Sequence, residues 1–319
     1  MAPGRGEREA GGDAIATDLP WALGPLLRDG PAPLVTRSRV SERLDVALVL
    51  GPRRREARDA GIPAELLTAL AAEAIDVRIV AEADVLHAAD ADVVLAAGWP
   101  AAPAVLTQGG IRARALLATA APPVLGELGW AEASGLPVLG PVWMGGTLPG
   151  GVDAVYAPMP VHRREDLVLV HAEEPFGLLA AAELHARRDD LTYAVSGTRR
   201  NLDLPFAYLD VEPGGDALAH AFASATVAFA PPVRGWRPAG LAMLACGQAV
   251  VAPDDEAGRT ALGPAASLAT GPLAAADLAE TLIADLELRA TRARTGAERT
   301  GAGWSLTAAA LADALRGLP

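Results

Sequence analysis

Residues 225–255 read ATVAFAPPVRGWRPAGLAMLACGQAVVAPDD, and this stretch decides the fold. Its first six residues carry no charge and have the length of a fully buried strand, as does the apolar run at 249–251. Between them lie a Pro- and Gly-containing loop, an Ala- and Leu-rich helix over 239–246, and the helix stop Cys246-Gly247. A strand that returns through a helix to another strand makes a parallel pair, because the crossover carries the chain back to the same edge. The loop holds Arg234, Trp236 and Arg237 at the carboxyl end of its strand, where open α/β sheets take ligands.

The same alternation extends outward from this unit. Upstream, strands are expected at 167–170, 191–196, 206–209 and 226–230, with helices at 175–187 and 216–225. An earlier series begins with DVALVL at 45–50 and continues with DVRIV at 76–80, DVVLA at 92–96 and RALLA at 114–118. Leu66, Leu67, Leu70 and Ala71 fall on one face of a helix over 63–75 that opens with Pro63, and the series closes with 136–142 and 153–156. Between the two series, 157–166 holds Pro158, Pro160, His162, Arg163 and Arg164 and reads as an interdomain linker. The fold expected is α/β: two Rossmann-like domains facing each other across a cleft, one over 14–156 and one over 167–303. Residues 1–13 read as a disordered leader, and a short helix is expected near Trp21 and Leu26, interrupted by Pro20 and Pro25. Apolar periodicity predicts a helix over 275–289 and a last one over 305–316, the segment 304–319 packing back near the domain junction.

Composition narrows the partners. The 319 residues carry 27 basic against 39 acidic side chains, a net charge of −12, so a general affinity for nucleic acid or anionic membranes is not expected. All basic residues other than histidine are arginine, which removes lysine as a base or Schiff-base former. One cysteine, Cys246, excludes an intrachain disulfide and fits a reducing, cytoplasmic location. No apolar run reaches the roughly 20 residues of a membrane helix, so no transmembrane segment is expected.

Absent motifs take the main support from the simple dehydrogenase, P-loop, α/β-hydrolase and zincin readings. There is no G-x-G-x-x-G after a strand, no G-x-x-x-x-G-K-[ST], no G-x-S-x-G and no H-E-x-x-H. The five histidines, His87, His162, His171, His185 and His220, lie far apart without ligand spacing, so no metal site is expected. His87, His185 and His220 are read as structural, and His171 as a residue near the cleft floor.

The 225–255 segment resembles the donor-binding segment of glycosyltransferases with the two-Rossmann-domain (GT-B) architecture, above all family 4, in which a Gly-Leu pair precedes a helix ending in Ala-Cys-Gly and a valine-rich strand follows. Residues 153–158 (DAVYAP) look like the strand closing the first domain of that family, 167–197 like the opening βαβ of its donor domain, and 206–231 like the strand, helix and strand that lead into its donor loop. DVVLAAGWPAAPAVL at 92–106 is similar to rhamnosyltransferase-like members. The resemblance implies a nucleotide-diphosphate-sugar donor bound as substrate, no other cofactor, retention of configuration, no metal, and a donor phosphate that assists departure while the acceptor attacks from the same face. It also implies that the Gly240 and Leu241 amides point at the diphosphate, as helix N-termini favour anions.

The departures are as specific as the agreements. Where the family carries a glutamate pair around the donor loop, this chain has Arg234 and Ala242, so the usual acceptor for the ribose hydroxyls is missing. Where it has an arginine and a further basic residue facing the diphosphate, this chain has His171, Glu173 and Glu174. Arginine elsewhere compensates in expectation: Arg234, Arg237, Arg199 and Arg200 all follow predicted strand ends, the last two after the strand-end Gly197, and guanidinium groups suit a diphosphate. They serve equally as loop residues paired with the acidic surface. Trp236 is expected to stack on a base or sugar, Arg234 and Arg237 to stabilise the leaving group, and Gly197 to shape the donor turn. In the first domain, Arg53, Arg54 and Arg55 stand either near a phosphorylated or acidic acceptor or as a basic turn capping a helix, and Trp99 and Trp143 either line the cleft or pack the domains together. The expected activity is hexosyl-type transfer to a glycan, as in polysaccharide biosynthesis, or to a secondary-metabolite acceptor. A GT-B-like binding or assembly protein without catalysis is the alternative, and a sugar-nucleotide epimerase lacks the cleft carboxylates and histidines it needs.

Overall fold

The structure, a computed structural model, describes residues 43–52, 54–119, 135–158, 163–172, 174–197, 203–211, 215–301 and 303–319. The expectations at 1–42, and those for Arg53, His162, Glu173, Arg199 and Arg200, lie outside the described residues.

Two parallel sheets form. The first contains β1 (Leu44–Leu50), β2 (Ile75–Ala81), β3 (Val93–Ala97), β4 (Ala113–Leu117) and β5 (Val138–Leu139) in the order β2-β1-β3-β4-β5. Leu48 of β1 stands opposite Ile79 on one side and Leu95 on the other. The second contains β6 (Arg164–His171), β7 (Thr192–Ser196), β8 (Tyr208–Asp210), β9 (Ala225–Phe229), β10 (Ala249–Pro253) and β11 (Ser267–Ala269), ordered β11-β10-β9-β6-β7-β8. Counted from β6 as first, that is the 3-2-1-4-5-6 order of the dinucleotide-binding fold, and its switch point lies between β6 and β9.

The inner strands of both sheets are buried on both faces, which is why β3, β9 and β10 are continuous apolar runs. One face of the first sheet packs Val46, Leu48 and Leu50 against Leu66 and Leu70 of helix Ala64–Ala72 and against Leu311 and Leu315 of the last helix, Ser305–Arg316. The other face packs Ala47 and Val49 against Trp99 and Val105. In the second sheet, Leu169 and Ala228 face Phe222 and Met243, while Val170 and Phe229 face Leu184 and Ala276. The chain thus returns at its end to cover the sheet it began with, and Trp304, just before that last helix, is buried with the first-sheet core.

Several boundaries differ from expectation. Residues 164–166 belong to β6, not to a linker: their charged side chains are solvated at the strand's start, yet Arg164 pairs with Ala225, and the Thr226 hydroxyl donates to the Arg164 carbonyl at 2.6 Å. Residues 153–156 form a turn, closed by the Tyr156 N–H to the Asp153 carbonyl at 3.0 Å, where a strand was expected. The helix expected over 275–289 is two helices, Pro272–Ala284 and Leu286–Thr300, because the Asp285 carboxylate caps the second by accepting from the Leu288 N–H at 2.9 Å. Helix Glu256–Ala261 and β11 were not foreseen, being too short to show periodicity. Among the described residues, no helix is long and apolar enough to cross a membrane.

Candidate functional site

The switch point between β6 and β9 opens into a cavity of about 220 Å³. His171 at the end of β6, the loop residues Pro231, Pro232, Arg234 and Arg237, and Pro238, Ala239 and Ala242 at the start of helix Ala239–Ala245 line one side. Leu218 and Phe222 of helix Gly215–Ser224 extend it, and the turn carrying Gly151, Asp153 and Tyr156 closes it. Arg234 and Arg237, singled out from sequence, therefore share one cavity.

Neither guanidinium is without a partner. Arg234 pairs with Glu174 at 2.9 Å, and Arg237 pairs with Glu65 of the first sheet's helix and, through Nε, with Asp153 at 3.2 Å. Three carboxylates thus attend two guanidinium groups among the described residues. The Asp153 carboxylate also accepts the Trp304 indole N–H at 2.7 Å, and its side chain is only 13% exposed. Burial pushes its pKa above the ordinary aspartate value, and the Trp304 hydrogen bond and the Arg237 charge pull back against that rise. Burial likewise raises the Tyr156 phenol, whose ring stacks on Phe222 at 5.7 Å.

His171 is 6% exposed, and its Nδ1 lies 2.8 Å from the Ser196 hydroxyl. Gly197 follows Ser196 with φ +82°, and a Cβ there would sit 2.8 Å from His171 Cε1. Glycine at 197 thus meets two needs at once, left-handed backbone and the close approach of the imidazole. Alanine at 197 is expected to destabilise the fold by about 1–3 kcal/mol, read from urea unfolding, with His171 displaced from the cavity wall.

Other assignments change. Trp236 does not face the cavity as a stacking platform: it is 1% exposed, packs in the first-sheet core, and donates its indole N–H to the Ala118 carbonyl at 2.7 Å. The Leu241 N–H is not aimed at a ligand, since it donates to the Pro238 carbonyl at 3.0 Å and the side chain is buried. Gly240 has a packing reason, because a Cβ there would meet Leu262 Cδ2 at 3.1 Å. Trp99 belongs to the first-sheet core, and Trp143 bridges the lobes, donating to the Gly235 carbonyl at 2.9 Å. The basic turn after β1 caps a short helix: the Arg55 N–H donates to the Asp59 carboxylate at 3.2 Å, and this hydrogen bond with that from Glu56 holds the Asp59 carboxyl below its usual range. His185 packs edge-on to Tyr193 at 5.7 Å. Asp153, Tyr156 and Phe222 were not foreseen as site residues. Ala242 does line the cavity, so the position of the missing glutamate faces a ligand space without an acceptor.

Neither a family model nor a curated protein sequence matches the chain. Among solved structures it is similar over 86% of its length to AviGT4, a glycosyltransferase involved in avilamycin A biosynthesis, with 18% identity, 98% of that chain covered and a TM-score of 0.55. It is similar over the same share to Anabaena Alr3699/HepE, solved in complex with UDP-glucose, with 13% identity, 98% of that chain and a TM-score of 0.58. Sucrose-phosphate synthase from Thermosynechococcus elongatus gives 14% identity, 98% of its chain and a TM-score of 0.65, again over 86% of this one. These likenesses establish the fold: two parallel-sheet Rossmann-like lobes facing each other across a cleft, the GT-B architecture.

Proposed function

We propose that this chain is a glycosyltransferase that moves a sugar from a nucleoside-diphosphate donor to a glycan or small-molecule acceptor, with retention of configuration and without a metal. One observation carries the reading: Arg234 and Arg237 line a single cavity at the switch point of the second sheet, against the turn that joins the lobes. The structures it resembles include a glycosyltransferase and one solved with UDP-glucose, which supports a donor of this class.

The carboxylates around the arginines hold them in place until a ligand competes. A diphosphate offers each guanidinium a paired set of charge-assisted hydrogen bonds and more negative charge than any one of the carboxylates it displaces. Positioning and stabilisation of the leaving diphosphate are the work required, and no protein nucleophile is needed. Arg234 and Arg237 fill that role, while the turn at Gly197 holds His171 on the cavity wall; Arg199 and Arg200 follow that turn and are proposed to reach the same phosphates.

Titration calorimetry of the full chain with UDP, dTDP and GDP tests this. One of the three is expected to bind. Arg237→Ala should weaken it about 10- to 100-fold, the loss of a hydrogen bond between charged groups, with the freed Asp153 and Glu65 adding repulsion. Folded protein that gives no heat with any of the three overturns the reading.

A further inference from the structure

Asp153 faces the donor cavity from the turn between the lobes with its side chain largely buried, and its task so far is only to hold Arg237 until a ligand competes. Its two oxygens have separate partners, Oδ1 the Trp304 indole N–H at 2.7 Å and Oδ2 Arg237 Nε at 3.2 Å. The groups facing it are Arg237 from the donor loop, Glu65 from the first sheet's helix, Tyr156 from its own turn and the uncharged Trp304 indole; His171, Arg234 and Glu174 stand further around the same cavity. Oδ2 and the guanidinium proposed to hold the diphosphate are thus neighbours. A phosphate that draws Arg237 toward itself leaves Oδ2 facing the same space without that cation.

We propose that Asp153 accepts the proton of the acceptor hydroxyl during transfer and hands it to the departing diphosphate. The inference rests on the glycosyltransferase reading. The bond from the acceptor oxygen to the anomeric carbon forms as the bond from that carbon to the phosphate oxygen breaks, its electron pair leaving with the diphosphate. The hydroxyl proton passes to Asp153 Oδ2 and then to the leaving phosphate oxygen, so charge and atoms balance. Because Asp153 and Arg237 are adjacent, proton acceptor and leaving group lie on one side of the sugar, the arrangement that attack from the leaving-group face requires. Donor binding also arms the base. While Arg237 is paired with it the carboxylate is a poorer proton acceptor, and drawing Arg237 to the phosphate leaves burial to raise its basicity.

The test uses the full chain and the nucleoside-diphosphate glucose that corresponds to the nucleotide identified by calorimetry, with water as acceptor and nucleoside diphosphate release as the readout. Asp153→Asn keeps an acceptor for the Trp304 N–H. It is expected to lower kcat about 100-fold or more, to abolish the acidic limb of the pH–rate profile, and to bind the nucleoside diphosphate at least as tightly as wild type, since the neutral amide no longer competes for Arg237. Asp153→Ala should recover part of its rate with added formate, which a merely structural role would not allow. Trp304→Phe keeps the carboxylate but removes the hydrogen bond that lowers its pKa, so the acidic limb should move to higher pH. An Asp153→Asn protein that binds nucleotide and turns over within threefold of wild type, or keeps the acidic limb, overturns the proposal. Wild type that binds no nucleotide removes the glycosyltransferase reading instead.

Discussion

Trp236→Ala is expected to cost about 3–5 kcal/mol of stability, as removal of a fully buried aromatic does. Trp236 heads the fully buried side chains of the described residues, and it crosses from the second sheet's loop into the first sheet's core beside Met144, Leu148 and Trp304. Its ring lies 6.3 Å from that of Trp304, and its N–H satisfies the carbonyl of Ala118 just beyond β4. Alanine leaves a cavity at the junction and removes that carbonyl's hydrogen-bond donor, two penalties that add. Trp236→Phe separates them: it keeps most of the packing and should cost only about 1–2 kcal/mol, the hydrogen bond with a small volume loss. Urea unfolding of both variants checks the pair, and a Trp236→Ala midpoint matching wild type would refute the role. The loss reaches the site as well. Arg234 and Arg237 sit on either side of Trp236, so a loop without its anchor presents them over a range of positions, and nucleotide affinity should fall although neither arginine has been altered.

The fate of this tryptophan shows where sequence stops being informative. In a loop of Pro, Gly and Arg it reads as facing a ligand, because Gly235 and Arg237 flank it and Arg234 lies two residues before it. What buries it is the carbonyl of Ala118 and the ring of Trp304, both far from it along the chain. The strands were legible for the opposite reason. β1, β3, β6, β9 and β10 are buried on both faces, so their apolar runs are local consequences of the sheet, and the alternation with helices fixes parallel pairing. That Arg234 and Arg237 line one cavity was legible because strand-end loops of such sheets border the crevice at the switch point wherever the rest of the chain goes. Asp153 was not: DAVY has the composition of a closing strand, and only the tight turn at Tyr156 and the packing of Trp304 bring its carboxylate to the cavity. The break at Asp285 was hidden similarly, since Leu286 and Leu288 continue the periodicity across an aspartate that caps a new helix.

The second large effect is expected at Gly151, where the cost is space and not backbone strain. Gly151 borders the cavity, and the ring of Trp304 covers its α-carbon so closely that a Cβ would stand inside the indole, 2.5 Å from Cδ2. Gly150 meets the same obstacle from Trp143, so the turn runs as bare backbone between two indoles. Neither ring can yield easily. Trp304 is 5% exposed and begins the helix that covers the first sheet, and Trp143 is held by its hydrogen bond to Gly235. Gly151→Ala should therefore destabilise the fold by about 1–3 kcal/mol, the range for an overpacked interior, seen as a lower urea midpoint. The Trp304 N–H also holds Asp153, so a displaced ring loosens that hydrogen bond, and shifting the carboxylate proposed to carry the proton by about an ångström can cost 100-fold in rate. Gly235→Ala is the comparison: φ there is +61°, but no atom lies within 4 Å of the added Cβ, so it should lose about 1 kcal/mol from backbone strain alone. If both alanines cost the same and turnover survives in both, the wedge between Trp143 and Trp304 does not set the position of Asp153.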